Sequence, residues 1–226
     1  MNIIQHRSPN FDARPEGLEI DMLVLHYTGM KSGEAALKRL CDKKAQVSAH
    51  YMIEEDGTVF QMVDEEKRAW HAGVAYWRGA NNINARSIGI EIVNPGHEFG
   101  YRTFPEAQVL SVIELCQAIL ARTPIKARNV VGHSDVAPTR KEDPGELFPW
   151  QRLASQGIGL WTADLKTYPL HSIEELLSQF GYETDDLGKS LMAFERHYHP
   201  EALIKPDPNK TQSRLMALLD LIKESS

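Results

Sequence analysis

What this sequence has little of narrows its class first. Only two cysteines occur in 226 residues, Cys41 and Cys116, far apart and each amid helix-like sequence. No disulfide framework and no CxxC metal knuckle can be built from them, and they read as two buried thiols of a reducing compartment. Long hydrophobic runs are missing: nothing approaches the roughly 20 apolar residues that span a bilayer. The first residues, MNIIQHRSPNFDARP, have no basic start followed by an apolar stretch. The expectation is a cytoplasmic protein, with an envelope location only for a trimmed precursor. Positive charge is not in excess either. A net charge of −6 without a basic stripe argues against a nucleic-acid partner. No internal repeat, low-complexity tract or HExxH metallopeptidase motif is present, and no protein partner is readable.

What is there reads as an ordinary globular chain, 42% hydrophobic and 25% charged, long enough for one large domain or a domain with an appendage. Met22-Leu23-Val24-Leu25 is a buried strand ending in His26, with Gly29 and Gly33 in the loop behind it. Ala35, Leu37, Leu40 and Cys41 suggest a helix. Runs from Ala49 to Ile53 and Thr58 to Val63 flank Glu55-Asp56-Gly57, a hairpin signal. SIGIEIV, Ser87 to Val93, is a strand with one acid inside it. Thr103-Phe-Pro-Glu106 reads as a capping box opening a helix through Val109, Val112, Ile113, Cys116, Ile119 and Leu120. Val130-Val131 is a last short strand. Near Trp161 the character changes to a polar connector, TADLKTYPLHS. A second capping box, Ser172 to Glu175, follows, then three amphipathic stripes: Leu176, Leu177 and Phe180; Leu187, Leu191, Phe194 and Tyr198; Leu215, Leu218, Leu219 and Ile222. The expected architecture is a mixed α/β domain over residues 1–168. A small three-helix module over 169–226 completes it, with too little core to be stable by itself.

Nine histidines occur. His6, His97, His171, His197 and His199 read as surface or satisfied interior residues. His26 and His133 differ, because each sits just past a short apolar strand, where ligands of open sheets bind. Asp143 follows His133 by ten residues, beyond a proline-containing loop able to turn it back. Two imidazoles and a carboxylate would leave a fourth position of tetrahedral Zn²⁺ for water. By spacing alone Asp135, His50 and His71 compete as third ligand, and the polar loop GHSDVAPTRKEDPG could be merely solvated.

VLHYT (24–28), AWHAG (69–73), SIGIEIVN (87–94) and GHSDVAPTRKEDPG (132–145), continued by LFPWQRLASQGIGLW (147–161), resemble the zinc-dependent N-acetylmuramoyl-L-alanine amidases of the type 2 amidase family. The likeness spans about residues 1–165 and is nearest to the muropeptide-recycling branch and its envelope relatives. It implies the fold shared with peptidoglycan recognition proteins, an α/β fold with a central mixed β-sheet flanked by helices, and hydrolysis of the amide between muramic acid and L-alanine. Peptidoglycan or 1,6-anhydromuropeptide would be the substrate, and soluble fragments are favoured. Carried over position by position, the zinc ligands fall on His26, His133 and Asp143, the catalytic lysine on Lys141 and the catalytic glutamate on Glu91. Phage-type members have cysteine and tyrosine where this chain has Asp143 and Ala49, which shifts the burden of base catalysis onto Glu91. LMAFERHYHPE (191–201) is similar to small peptidoglycan-binding modules, so the C-terminal helices are either a binding module or a cap over an apolar face.

The residue types suit the reaction. Zinc lowers the pKa of bound water from about 16 toward about 7. A glutamate set in an apolar strand suits a general base, and a lysine suits a developing oxyanion. Trp70, His71, Asn84 and Arg86 are expected to line the substrate groove, the arginine facing stem-peptide carboxylates. A non-catalytic peptidoglycan receptor and a zinc peptidase cutting within the stem peptide are the alternatives.

Overall fold

The computed structural model describes residues 2–166, 168, 169 and 171–224; Thr167 and Leu170 of the polar connector lie outside the described residues. The elements run β1 (Ile3–Gln5), β2 (Phe11–Ala13), β3 (Met22–Tyr27), α1 (Gly33–Cys41), β4 (Tyr51–Ile53), β5 (Val59–Gln61), β6 (Lys67–Ala69), α2 (Ile83–Arg86), β7 (Ser87–Ile92), α3 (Gly96–Phe99), α4 (Glu106–Arg122), β8 (Val130–Gly132), α5 (His133–Val136), α6 (Trp150–Ser155), α7 (Ile173–Phe180), α8 (Leu187–Tyr198) and α9 (Pro208–Glu224). Six strands form one sheet in the order β1-β5-β4-β7-β3-β8, and β2 pairs with β6 apart from it. Only β4 and β5, the hairpin, are antiparallel within the large sheet. The sheet is therefore mixed, with helices on both faces.

Side-chain alternation along the buried strands divides the core in two. Leu23 and Leu25 of β3, with Ile88, Ile90 and Ile92 of β7, face α4, where Val112, Leu115, Cys116 and Ile119 meet them. Met22 and Val24 point the other way, and with Val131 of β8 they pack against Leu177, Phe180, Phe194, Tyr198, Leu215 and Leu218 of the C-terminal helices. These helices thus share one apolar core with the sheet. On the same side of the sheet, Met52 of β4 lies under Ala36 and Leu40 of α1. Two separate covers, α1 and the C-terminal helices, leave a gap over the middle strands.

Two local expectations need correction. Thr103 does not cap α4: the cap residue is Pro105, in an extended conformation with no side-chain cap bond. The Glu106 carboxylate pairs with Arg152 at 2.6 Å, so it does not reach back as a capping box requires. The thiols are not both buried: Cys116 is inside the α4 core, but Cys41, at the end of α1, is half-exposed. At α7 the Ser172 half of the expected box is present, its Oγ accepting from the Glu175 amide at 3.4 Å. Among the described residues no helix is long and apolar enough to cross a membrane.

Candidate metal centre and active site

The register of β3 on β7 sets His26 directly beside Glu91. Both follow the parity that points into the gap between the two covers. His133 begins α5 immediately after β8, and Asp143 is drawn back to it by the Ser134 amide, which donates to the Asp143 carbonyl at 2.9 Å. His26 Nδ1, His133 Nδ1 and Asp143 Oδ2 then form a triangle with edges of 2.9, 3.0 and 3.1 Å. Among the described residues this is the one group of three such side chains that could hold a metal ion.

The hydrogen bonds around the triangle fix which atoms carry protons. His133 Nε2 lies 3.0 Å from the Ala72 carbonyl, which can only accept, so Nε2 carries a proton and Nδ1 carries the lone pair of the neutral ring. For His26 the reasoning runs through a chain. Ser87 Oγ donates to the Ile83 carbonyl at 2.6 Å, so it accepts from His71 Nε2 at 3.2 Å. His71 Nδ1 is then bare and accepts from His26 Nε2 at 3.1 Å, which leaves His26 Nδ1 bare too. Burial holds the His26 imidazole down to about 4, the neighbouring His133 adding to the effect, and His71 well below the usual range. Two lone pairs and a carboxylate thus converge on one point. Three acceptors so arranged repel one another unless a cation lies between them, and 3 Å edges suit N and O ligands about 2 Å from a tetrahedral ion.

Gly89 matters to this chain of rings. A Cβ there would stand 2.4 Å from the His71 ring, so only glycine lets His71 lie across β7. The rival third ligands are engaged elsewhere. His50 Nδ1 accepts from the Gly89 amide at 2.9 Å and its Nε2 faces Lys67 O and Arg14. Asp135 turns away from the triangle and accepts from the Gly132 amide at 2.6 Å.

Glu91 is half-buried on the floor of a cleft of about 770 Å³ that also includes His133, Lys141 and Asp143. Its Oε2 is shielded from solvent and has no hydrogen-bond partner among the described residues. Burial raises the carboxyl well above its ordinary range, Asp143 raises it further, and Lys141 opposes them. A carboxyl with its proton affinity raised in this way is a candidate proton acceptor for a reaction in the cleft.

The four expected groove residues fare differently. Trp70 lines the cleft. His71 touches it, but both ring nitrogens are committed to His26 and Ser87, so its place is behind the triangle. Asn84 is a structural clip: its Oδ1 accepts from the amides of His71 and Ala72 at 3.1 and 2.7 Å. Arg86 is not in the cleft. It forms a two-pronged pair with Asp21 and lines a separate cavity with Trp77, Arg78 and Arg128. The sequence reading passed over Tyr27, Lys31, Arg39 and His97, which do line the cleft. Tyr27 could have been suspected, since it follows His26 at the strand end; the others come from α1, its preceding loop and α3.

The family profile of the N-acetylmuramoyl-L-alanine amidases (Amidase_2) matches residues 16–146. Among curated proteins, the N-acetylmuramoyl-L-alanine amidase AmiD of Escherichia coli is 37% identical over 231 residues, covering 89% of this chain and 83% of that protein. The 1,6-anhydro-N-acetylmuramyl-L-alanine amidase AmpD of Haemophilus influenzae is 35% identical over 169 residues, covering 67% of this chain and 90% of that protein. The solved complex of E. coli AmiD with anhydro-N-acetylmuramic acid-L-Ala-D-gamma-Glu-L-Lys superimposes with a TM-score of 0.79 at 36% identity over 92% of each chain.

Proposed function

Because the chain belongs to the N-acetylmuramoyl-L-alanine amidase family and is an amide hydrolase of that kind, we propose that the acceptor triangle holds Zn²⁺ through His26, His133 and Asp143. The observation that carries this is the convergence of His26 Nδ1, His133 Nδ1 and Asp143 Oδ2, with each ring held by a hydrogen bond at its other nitrogen. When bound, the ion supplies Lewis acidity and water that ionises near neutral pH.

This chain's own residues then divide the work. Glu91, whose raised proton affinity and unpartnered oxygen suit a base, takes a proton from the attacking water. Oxygen adds to the lactyl carbonyl carbon, and Lys141 offers its ammonium to the oxyanion that develops. The C–N bond breaks, and Glu91 returns the proton to the departing amine of L-alanine. A lactyl carboxylic acid and a free peptide result. Trp70 walls the cleft, and Lys31 and Arg39 suit the carboxylates of a stem peptide.

The substrate class we propose is a soluble 1,6-anhydromuropeptide, the kind of molecule held in the relative's complex. Residues 1–168 would carry all the chemistry, with 169–226 as an accessory helical unit. The unpaired cysteines suit a reducing cytoplasm, which cell fractionation tests. The test of the reaction is product mass. Incubating the zinc-loaded protein with an anhydromuropeptide and with polymeric peptidoglycan should release an intact peptide beginning at L-alanine and a peptide-free sugar. A shortened peptide would overturn the reading in favour of a peptidase, and no product in favour of a receptor.

A further inference from the structure

Asp135 has no part in the reaction as described, yet it is 1% exposed and holds three donors. Its Oδ2 accepts from the Gly132 amide at 2.6 Å and faces His197 Nδ1 at 2.7 Å. Its Oδ1 accepts from the Tyr182 hydroxyl at 2.6 Å. Tyr182 and His197 are likewise 1% and 2% exposed. A carboxylate with three donors in an apolar interior is held far more firmly than a solvated one, because losing any donor leaves a buried charge less compensated. The His197 ring is in turn clamped, stacked between Trp150 and Tyr198 with centroids 3.7 Å away on each side.

The sequence positions give this cluster its meaning. Gly132 and Asp135 bracket His133, so fixing Asp135 fixes the turn that aims His133 Nδ1 at the triangle. Tyr182 and His197 come from the C-terminal helical region, outside the span that the family profile matches. The same region also reaches the far end of the motif, where Arg196 lies 3.5 Å from Glu142, the neighbour of Asp143.

We propose that Tyr182 and His197 are positioning residues for the metal centre, acting through Asp135 and the Gly132–His133 turn. The C-terminal helices are then neither a wall-binding appendage alone nor a passive cap: they complete the support of a ligand that the amidase portion provides. The inference rests on the zinc reading above, and by linkage the coupling is reciprocal, metal binding tightening the helices that help to hold the metal.

The experiment uses the full chain and four variants. Tyr182→Phe deletes one hydroxyl with no change of ring volume, and His197→Leu removes the other donor. His197→Asn keeps a donor near the place of Nδ1. Leu218→Ala damages the same core without touching Asp135. Zinc affinity is read by chelator competition, ligand geometry by the visible spectrum of the Co²⁺-substituted protein, and the turn itself by hydrogen exchange of the Gly132 and His133 amides in the metal-free protein. The expected result is zinc binding weakened about 10-fold by Tyr182→Phe and His197→Leu, the low end for outer-sphere groups. An altered cobalt spectrum and faster amide exchange should accompany it. His197→Asn should stay near wild type, and Leu218→Ala should lower the melting temperature alone. Folded Tyr182→Phe protein with wild-type affinity, spectrum and exchange overturns the proposal, even if His197→Leu does not fold. Wild-type protein that takes up no zinc instead overturns the functional reading, and the metal-free exchange rates still decide the coupling.

Discussion

The two faces of the central sheet are built on opposite plans. The face under α4 is closed: the 17-residue helix covers it together with Phe148, Trp150, Leu153 and Ile158, and the strand residues beneath are apolar. The other face is shared between α1 and the C-terminal helices, and the polar residues of the centre emerge between them. A continuous cover gives burial and no access. A divided cover gives access, and the buried histidines that border the gap are held by hydrogen bonds as well as by packing. Stability and chemistry are thereby assigned to opposite sides of the same strands.

Removing one cover should produce the largest effect. A chain ending near Tyr168 would uncover Met22, Val24, Val131 and Val136, and we expect it to be poorly soluble and inactive on both small and polymeric substrates. A soluble, fully active truncation, assayed on both, would erase the distinction between the faces. Next comes His133→Ala, which should lose zinc and activity together while near-native far-ultraviolet circular dichroism shows the closed face intact; full metal occupancy by elemental analysis would contradict the ligand assignment. Glu91→Gln and Lys141→Ala should keep zinc yet lose at least about 100-fold in turnover, the scale of one base or oxyanion donor. On the closed face the effect should be purely thermodynamic. Leu115→Ala, at a fully buried site, should cost about 2–5 kcal/mol in denaturant unfolding with kcat within about twofold. The smallest effect is expected from Arg86→Ala, whose partner is the partly exposed Asp21; KM for a muropeptide should barely move, and a large rise would return Arg86 to the groove.

Strand identity and strand-end chemistry were legible in the sequence because both are local. MLVLH shows an apolar run ending in a ligand type, and SIGIEIV shows a single acid in a buried strand. Position-by-position likeness added Lys141 and the role of Glu91, and it chose Asp143 over Asp135, His50 and His71. What could not be read depends on partners distant in the chain. Arg86 looked available for substrate because Asp21 is 65 residues away, and Glu106 looked like a capping residue because Arg152 is 46 residues away. His197 looked like one more satisfied histidine; only the folded chain sets it against Asp135, 62 residues earlier. Helical periodicity predicted that the last three helices bury one face each. It did not say against what.

The alternation along β3 carries a consequence for how the chain reaches its fold. A slip of one residue in the pairing of β3 with its neighbours would exchange its two side-chain sets. His26 would enter the aliphatic layer under α4, and Leu25 would face the cleft. A misregistered chain could then keep its strands and helices and still offer only two of the three ligands. On the proposed zinc reading, affinity for metal would report on strand register, and an ion present during refolding would favour the correctly paired chain by the difference between its three-ligand and two-ligand binding. The ion would then act as a check on strand register as well as on chemistry.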